Sequence, residues 1–155
     1  MVNLEGKVAL VTGGSRGIGA ATAIKLASLA ADVAITYGKS KDQADAVGKQ
    51  ITALGVKSLV IHADAGKPET MQAMVDAVVK HFGKLDILVN NAGVLEAVGP
   101  IGEINEEQFE HQLSVNIRSV FTTTQASVKY LQAGARIINL SSCLGARATF
   151  PGVSG

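Results

Sequence analysis

The chain of 155 residues has no tryptophan, one cysteine, three prolines and an aromatic fraction of only 4%. A lone Cys143 excludes an internal disulfide framework. No apolar run is long enough to span a bilayer as a helix, so no membrane partner is expected. Basic and acidic residues nearly cancel, 14 against 13, and no basic cluster carries interleaved aromatics, which argues against nucleic acid as a partner. His62, His81 and His111 are far apart and lack metal-ligand spacing, so no metal is expected. Cys143 adjoins Ser142, but no motif supplies a histidine partner, and it reads as a small buried apolar residue. The first residues lead into a strand without a signal-peptide pattern, which together with the single cysteine points to a reducing, cytoplasmic compartment. There is no internal repeat, low-complexity segment or domain linker.

What the chain does have is 47% apolar residues and 17 glycines, enough for one domain over residues 1–155 with a substantial core. The stretch 12–19, Thr-Gly-Gly-Ser-Arg-Gly-Ile-Gly, follows the apolar run 8–11 and opens an alanine-rich segment. It predicts a strand, a tight turn and a helix. Gly13, Gly17 and Gly19 let the backbone turn and come close to a pyrophosphate, while the unpaired N–H groups of the helix attract negative charge. No Gly-Lys-Ser/Thr follows, which disfavours a nucleoside-triphosphate P-loop.

Further strands are expected at 33–37, 58–62, 85–89 and 137–140. Between them, Ser40 with Gln43 has the form of a capping box, Pro68 suits a first helical turn, and Met71, Met74, Val75, Val78 and Phe82 recur at helical spacing. Asn105 with Gln108 predicts the cap of a long helix with a buried face through Phe109, Leu113, Val120, Phe121 and Val128. Short, continuous apolar strands alternating with helices describe a parallel α/β sheet covered on both faces. Right-handed crossovers then imply the strand order 3-2-1-4-5, with functional loops at the carboxyl ends of the strands and the fifth strand left as an apolar edge.

Five motifs in the same order as in a known family now stand together: the glycine turn at 12–19, Asp64 after the third strand, Asn-Asn-Ala-Gly at 90–93, Asn116 in the long helix, and Ser141-Ser142 after the fifth strand. The chain resembles the N-terminal part of a short-chain dehydrogenase/reductase, with a Rossmann-type doubly wound sheet that lacks its C-terminal part. Among such enzymes the pattern is similar to 3-oxoacyl-carrier-protein reductases. The alternative is another nucleotide-binding α/β domain, such as a flavodoxin-like fold.

The resemblance implies hydride transfer between a nicotinamide cofactor and a small carbonyl or alcohol substrate. It implies cofactor contacts from Gly13, Ser15, Arg16, Gly17, Ile18 and Gly19 around the phosphates, and from Asp64 and Ala65 around the adenine. Asn90, Asn91, Ala92 and Gly93 would lie toward the ribose and nicotinamide. Where a carboxylate at the end of the second strand would accept from a ribose 2′-OH, this chain has Tyr37-Gly38-Lys39; with Arg16 nearby, the local charge favours NADP(H) over NAD(H). Ser142 is the implied partner of the substrate oxygen, ahead of Ser141, and Asn116 the implied holder of a water in a proton relay.

The proton donor of the family is a tyrosine in Tyr-x3-Lys about a dozen residues after the serine, which here falls at or beyond Gly155. Tyr37 with Lys41 matches that spacing by chance, on the adenosine side, and Tyr130 reads as a helix-packing residue. Two accounts follow. Either the chain is a portion of a longer reductase, which the resemblance implies forms a homodimer or homotetramer through the helix at 109–132, or it is a non-catalytic nucleotide-binding or interaction module.

Overall fold

The computed structural model describes residues 2–142; Cys143 and the residues after it, including the position expected for the tyrosine, lie outside them. Strands and helices alternate as β1 (Val8–Val11), α1 (Gly17–Ser28), β2 (Asp32–Tyr37), α2 (Lys41–Ala53), β3 (Ser58–His62), α3 (Met71–Phe82) and β4 (Ile87–Asn90). Then come α4 (Glu106–Leu113), a π-helical turn (Ser114–Arg118), α5 (Ser119–Val128) and β5 (Arg136–Asn139). Every strand pairing is parallel and the order across the sheet is β3-β2-β1-β4-β5, as the alternation implies.

The central strand β1 is apolar throughout and fully buried because helices cover both of its faces. Along β1, Val8 and Leu10 join a cluster with Val75 and Val78 of α3 and Ala126 of α5, whereas Ala9 and Val11 join Ala23 and Ala27 of α1 and Val47 of α2. Each buried Val or Leu contributes about 1.5–3 kcal/mol relative to exposure. Helix α2 approaches β3 so closely that a Cβ at Gly48 would stand 2.7 Å from Val60 Cγ2. Pro68 opens a single 3-10 turn (Pro68–Thr70) ahead of α3, whose last residue is followed by Gly83 in the left-handed region. At the head of α4, Asn105 accepts the Gln108 N–H at 3.0 Å, as expected. Ser40 does occupy the cap position of α2, but its side chain makes no capping bond, so the expected capping box does not form. Its φ of −96° and ψ of 66° depart from the extended geometry that aims a cap hydroxyl at the first turn.

The long helix departs further from expectation. Phe109, Phe121 and Val128 are 37%, 64% and 56% exposed, and the inward face instead carries Val115, Ser119, Thr123, Ala126 and Ser127. Those small polar residues bury cheaply because Ser119 Oγ and Ser127 Oγ donate to the carbonyls of Val115 and Thr123 one turn earlier, at 2.6 and 2.7 Å. The π turn also changes the phase of the apolar repeat, so residues before and after it do not share one regular face. Strand β5 is exposed at all four of its residues and, among the described residues, pairs with β4 alone.

At the amino end of the sheet, Asp86 binds three groups at once. Its carboxylate accepts the Val8 N–H at 2.9 Å and pairs with Lys84 at 2.9 Å and Lys7 at 3.5 Å. Burial alone would push this carboxyl up, but the Val8 N–H and the two lysines outweigh it and hold it below its ordinary value.

Candidate functional site

The carboxyl ends of β1 and β4 are laced together by one hydroxyl. Thr12, 6% exposed, accepts the N–H groups of both Asn91 and Ala92 on Oγ1 at 3.0 Å and donates to Val89 O at 3.4 Å. On its other side the glycine turn is fastened to β2: Gly13 N–H donates to Thr36 Oγ1 at 3.1 Å and Gly14 N–H to Thr36 O at 2.9 Å. Thr36 belongs to none of the expected motifs, and Thr12 opens the glycine motif without an expected role of its own. Thr12 follows β1 directly, so its position beside the turn was the available signal.

Gly13 and Gly17 have φ of 65° and 56°, a region that side chains other than glycine rarely adopt. Space is the second constraint. A Cβ at Gly13 would lie 3.0 Å from Ala92 Cα, and one at Gly19 would collide with Asn91 Nδ2 and the Gly13 carbonyl. Gly14 is required too, because a Cβ there would sit 2.6 Å from Ile35 Cβ. Helix α1 begins immediately after, with Arg16 extended at its cap and no side chain bonded to its first turn. The turn's orphan N–H groups and the positive end of the helix therefore form an anion-receptive surface.

The two asparagines after β4 take different roles. Asn90 is 3% exposed and donates to Asn139 Oδ1 at 2.8 Å and Thr124 Oγ1 at 3.2 Å, tying β4 to β5 and α5. Asn91 turns back beneath the glycines and donates to the carbonyls of Thr12 at 2.9 Å and Gly13 at 3.1 Å. Over these strand ends opens a cleft of about 640 Å³, in the size range of small-molecule sites. It brings together Gly13, Ser15 and Arg16 with Tyr37 and Lys39, Asp64 and Ala65, and Asn91, Ala92 and Gly93. Gly17, Ile18 and Gly19 form the first turn of α1 beside it, with Ile18 67% exposed, and Asn90 lies under the strand ends; these four do not line the cleft. A second hollow, between α2 and β3, is an open surface depression that contains none of the expected residues.

The walls carry residues that the motifs do not include. His62 packs its ring against Tyr37, centroids 5.3 Å apart, and Glu96 and His111 face the same cleft. No carboxylate stands at the end of β2, and Lys41 is engaged by Asp45 at 2.6 Å, whose hydrogen bond and charge raise the lysine pKa. The Tyr37–Lys41 spacing thus belongs to a lysine held by another side chain, and Tyr130 Oη donates to Asp76 at 2.6 Å as a packing residue. Asn116 lies in the π turn and pairs with the backbone of Val94, accepting its N–H on Oδ1 and donating Nδ2 to its carbonyl, both at 2.8 Å. Ser141 and Ser142 are exposed just beyond β5, at the same end of the sheet. Among the described residues no group of three His, Cys, Asp or Glu side chains could hold a metal, and no helix is long and apolar enough to cross a membrane.

A family model described as short chain dehydrogenase matches residues 7–154. An uncharacterized oxidoreductase of Methylorubrum extorquens is 47% identical over 142 residues, which cover 92% of this chain and 57% of that protein. The chain thus spans little more than half the length of this curated relative. A short chain dehydrogenase from Burkholderia cenocepacia, solved in complex with NADP, superposes with a TM-score of 0.94 at 47% identity, over 97% of this chain and 61% of the other. A blue fluorescent protein from a metagenomic library, solved in complex with NADPH, gives 0.93 at 42% identity over 97% and 62%.

Proposed function

The chain belongs to the short-chain dehydrogenase family, and we propose that it is the cofactor-binding portion of an NADP(H)-dependent oxidoreductase acting on a small carbonyl or alcohol. The observation that carries this reading is the uncapped start of α1 beside a cleft lined by Gly13, Ser15 and Arg16, in a turn that the missing side chains of Gly13 and Gly19 let pack closely on Asn91 and Ala92. The residues present fit a dinucleotide phosphate. First-turn N–H groups at Gly17, Ile18 and Gly19 suit a pyrophosphate, and Arg16 and Lys39, with no carboxylate at the end of β2, suit a 2′-phosphate. The solved complexes of related proteins with NADP and NADPH support the same choice.

When bound, the nicotinamide supplies the hydride donor or acceptor. The work of the protein is positioning. Asp64 and Ala65, which line the cleft, would meet the adenine, and Asn91, Ala92 and Gly93 would border the ribose and nicotinamide, with Asn90 acting from below by holding β4 against β5. Ser142 holds the substrate oxygen, where a hydroxyl stabilises the charge that develops on it. Asn116 carries two bonds to Val94, and its amide retains a second lone pair and a second N–H, the capacity needed to hold a relay water. The exposed Ile117, Phe121 and Val128 suit a homodimer or homotetramer contact in the full-length protein, which we place in the cytoplasm.

Fluorescence titration of the purified chain with NADPH and NADH tests the assignment. NADPH is expected to bind more tightly, and the double variant Arg16→Ala, Lys39→Ala should lose about tenfold for NADPH with little change for NADH. Tighter binding of NADH by the unmodified protein would sink the cofactor choice, and binding of neither would sink the oxidoreductase reading.

A further inference from the structure

Glu96 and His111 line the cleft but belong to none of the family motifs quoted above. His111 Nδ1 lies 2.7 Å from Glu96 Oε2, and since a carboxylate oxygen accepts, the ring N–H donates. The opposite edge of the imidazole rests on Gly66, where a Cβ would stand 2.7 Å from Nε2 and 3.0 Å from Cδ2. Gly66 is not among the residues with positive φ, so what glycine supplies at this position is room for the ring.

Around this contact, one helical segment grips two loops. Toward β3, Ser114 Oγ donates to the Gly66 carbonyl at 3.0 Å, and Gly66 N–H donates to Asp64 Oδ1 at 3.0 Å. Toward β4, Gln112 Oε1 accepts the N–H groups of Glu96 at 2.8 Å and Ala97 at 3.2 Å, and Asn116 pairs with Val94. The loop at 64–66 borders the adenine side of the cleft and the segment at 94–97 continues from the nicotinamide side. His111 is the side chain in this group that meets both.

We propose that His111 is a positioning residue which, through Glu96 and Gly66, sets the separation of the adenine-side and nicotinamide-side loops. The proposal rests on the dinucleotide reading of the cleft. A dinucleotide is a two-headed ligand, and its advantage over either half depends on both subsites standing at the distance its tether spans. A ligand that occupies one side alone is indifferent to that distance.

The test titrates the purified chain, His111→Ala and His111→Gln with NADPH and with adenosine 2′,5′-bisphosphate, which fills the adenosine side only. His111→Ala is expected to weaken NADPH about tenfold and the bisphosphate by less than about twofold, the latter also showing that the variant is folded. His111→Gln, with an amide N–H able to reach Glu96, should recover most of the loss. Gly66→Ala should weaken NADPH in the unmodified protein and do less harm in the His111→Ala background, where the ring no longer occupies the space. Parallel weakening of both ligands, no change in either, no recovery by glutamine, or equal harm from Gly66→Ala in both backgrounds would overturn the proposal while the cofactor reading stands. Failure of the unmodified chain to bind either ligand would overturn that reading and this proposal with it.

Discussion

The two ends of the parallel sheet solve opposite problems. At the amino end, a single carboxylate, Asp86, gathers the Val8 N–H and two lysines, so backbone and charge are satisfied within the protein. At the carboxyl end, neutral groups do the fastening: the Thr12 and Thr36 hydroxyls accept backbone N–H groups, and the Asn91 amide donates to the carbonyls of Thr12 and Gly13. The first turn of α1 is left without a side-chain cap. A carboxylate capping that turn would compete with a ligand anion, whereas Asp86 at the other end of the sheet lies away from the cleft. Stability is therefore concentrated at one end and receptivity at the other, which agrees with the rule that open α/β sheets bind ligands at the carboxyl ends of their strands.

The sharpest way to break this contrast is to fill the space at the open end. Gly19→Val would drive a side chain into Asn91 Nδ2 and the Gly13 carbonyl, and NADPH affinity measured by titration should fall about a hundredfold. Next in size is Asp86→Ala, which leaves the Val8 N–H and two lysines without their acceptor and should cost about 2 kcal/mol in urea unfolding. Its NADPH affinity should change by less than about twofold, since the lesion lies at the far end of the strands. A large loss of affinity in that variant would remove the division between the two ends.

The pH dependence of stability sharpens the same contrast. The folded state holds the Asp86 carboxyl below its ordinary value, so it takes up the proton less readily than the unfolded chain. The stability that Asp86 contributes is fully present above about pH 4 and is lost as pH falls through the lower, folded value. Asp86→Asn should flatten the acid limb of a stability-against-pH curve, and an unchanged limb would show that other carboxylates set it. The smallest effect concerns helix starts. Asn105→Ala removes a real cap and should cost about 1 kcal/mol, whereas Ser40→Ala, which loses no capping bond, should stay within about 0.5 kcal/mol.

Much of this architecture was legible in the residues. Continuous runs such as Val8–Val11 can be covered on both faces only between two helical layers, and alternation with helices then leaves few topologies. Gly13, Arg16, Asp64 and residues 91–93 could be anticipated in one cleft because each follows a strand at the same end of the sheet. The buried face of the long helix was not legible. Apolar spacing favoured Phe109, Phe121 and Val128, but serine and threonine that bond their own helix satisfy burial without hydrophobicity, and pattern reading has no means of weighing that. The Gly14–Ile35, His62–Tyr37 and Glu96–His111 contacts were also hidden, since each joins residues far apart in sequence whose meeting depends on strand register and loop path.

The π turn at Ser114–Arg118 makes chain length itself a constraint. A turn of this kind takes in one more residue than an α turn while leaving the helix on either side nearly in phase, so excising a single codon there would restore a regular ladder, whereas excising one from the regular turns beside it would rotate everything beyond the cut by about 100°. With the cut in α4 just after Gln112, His111 and Gln112 would swing away from the partners they hold, while the sheet-facing hydroxyls beyond it kept theirs. A one-residue deletion in the turn should therefore harm the protein less than one in α4 or α5, because the bulge can give up a residue without turning the two halves of the helix against each other.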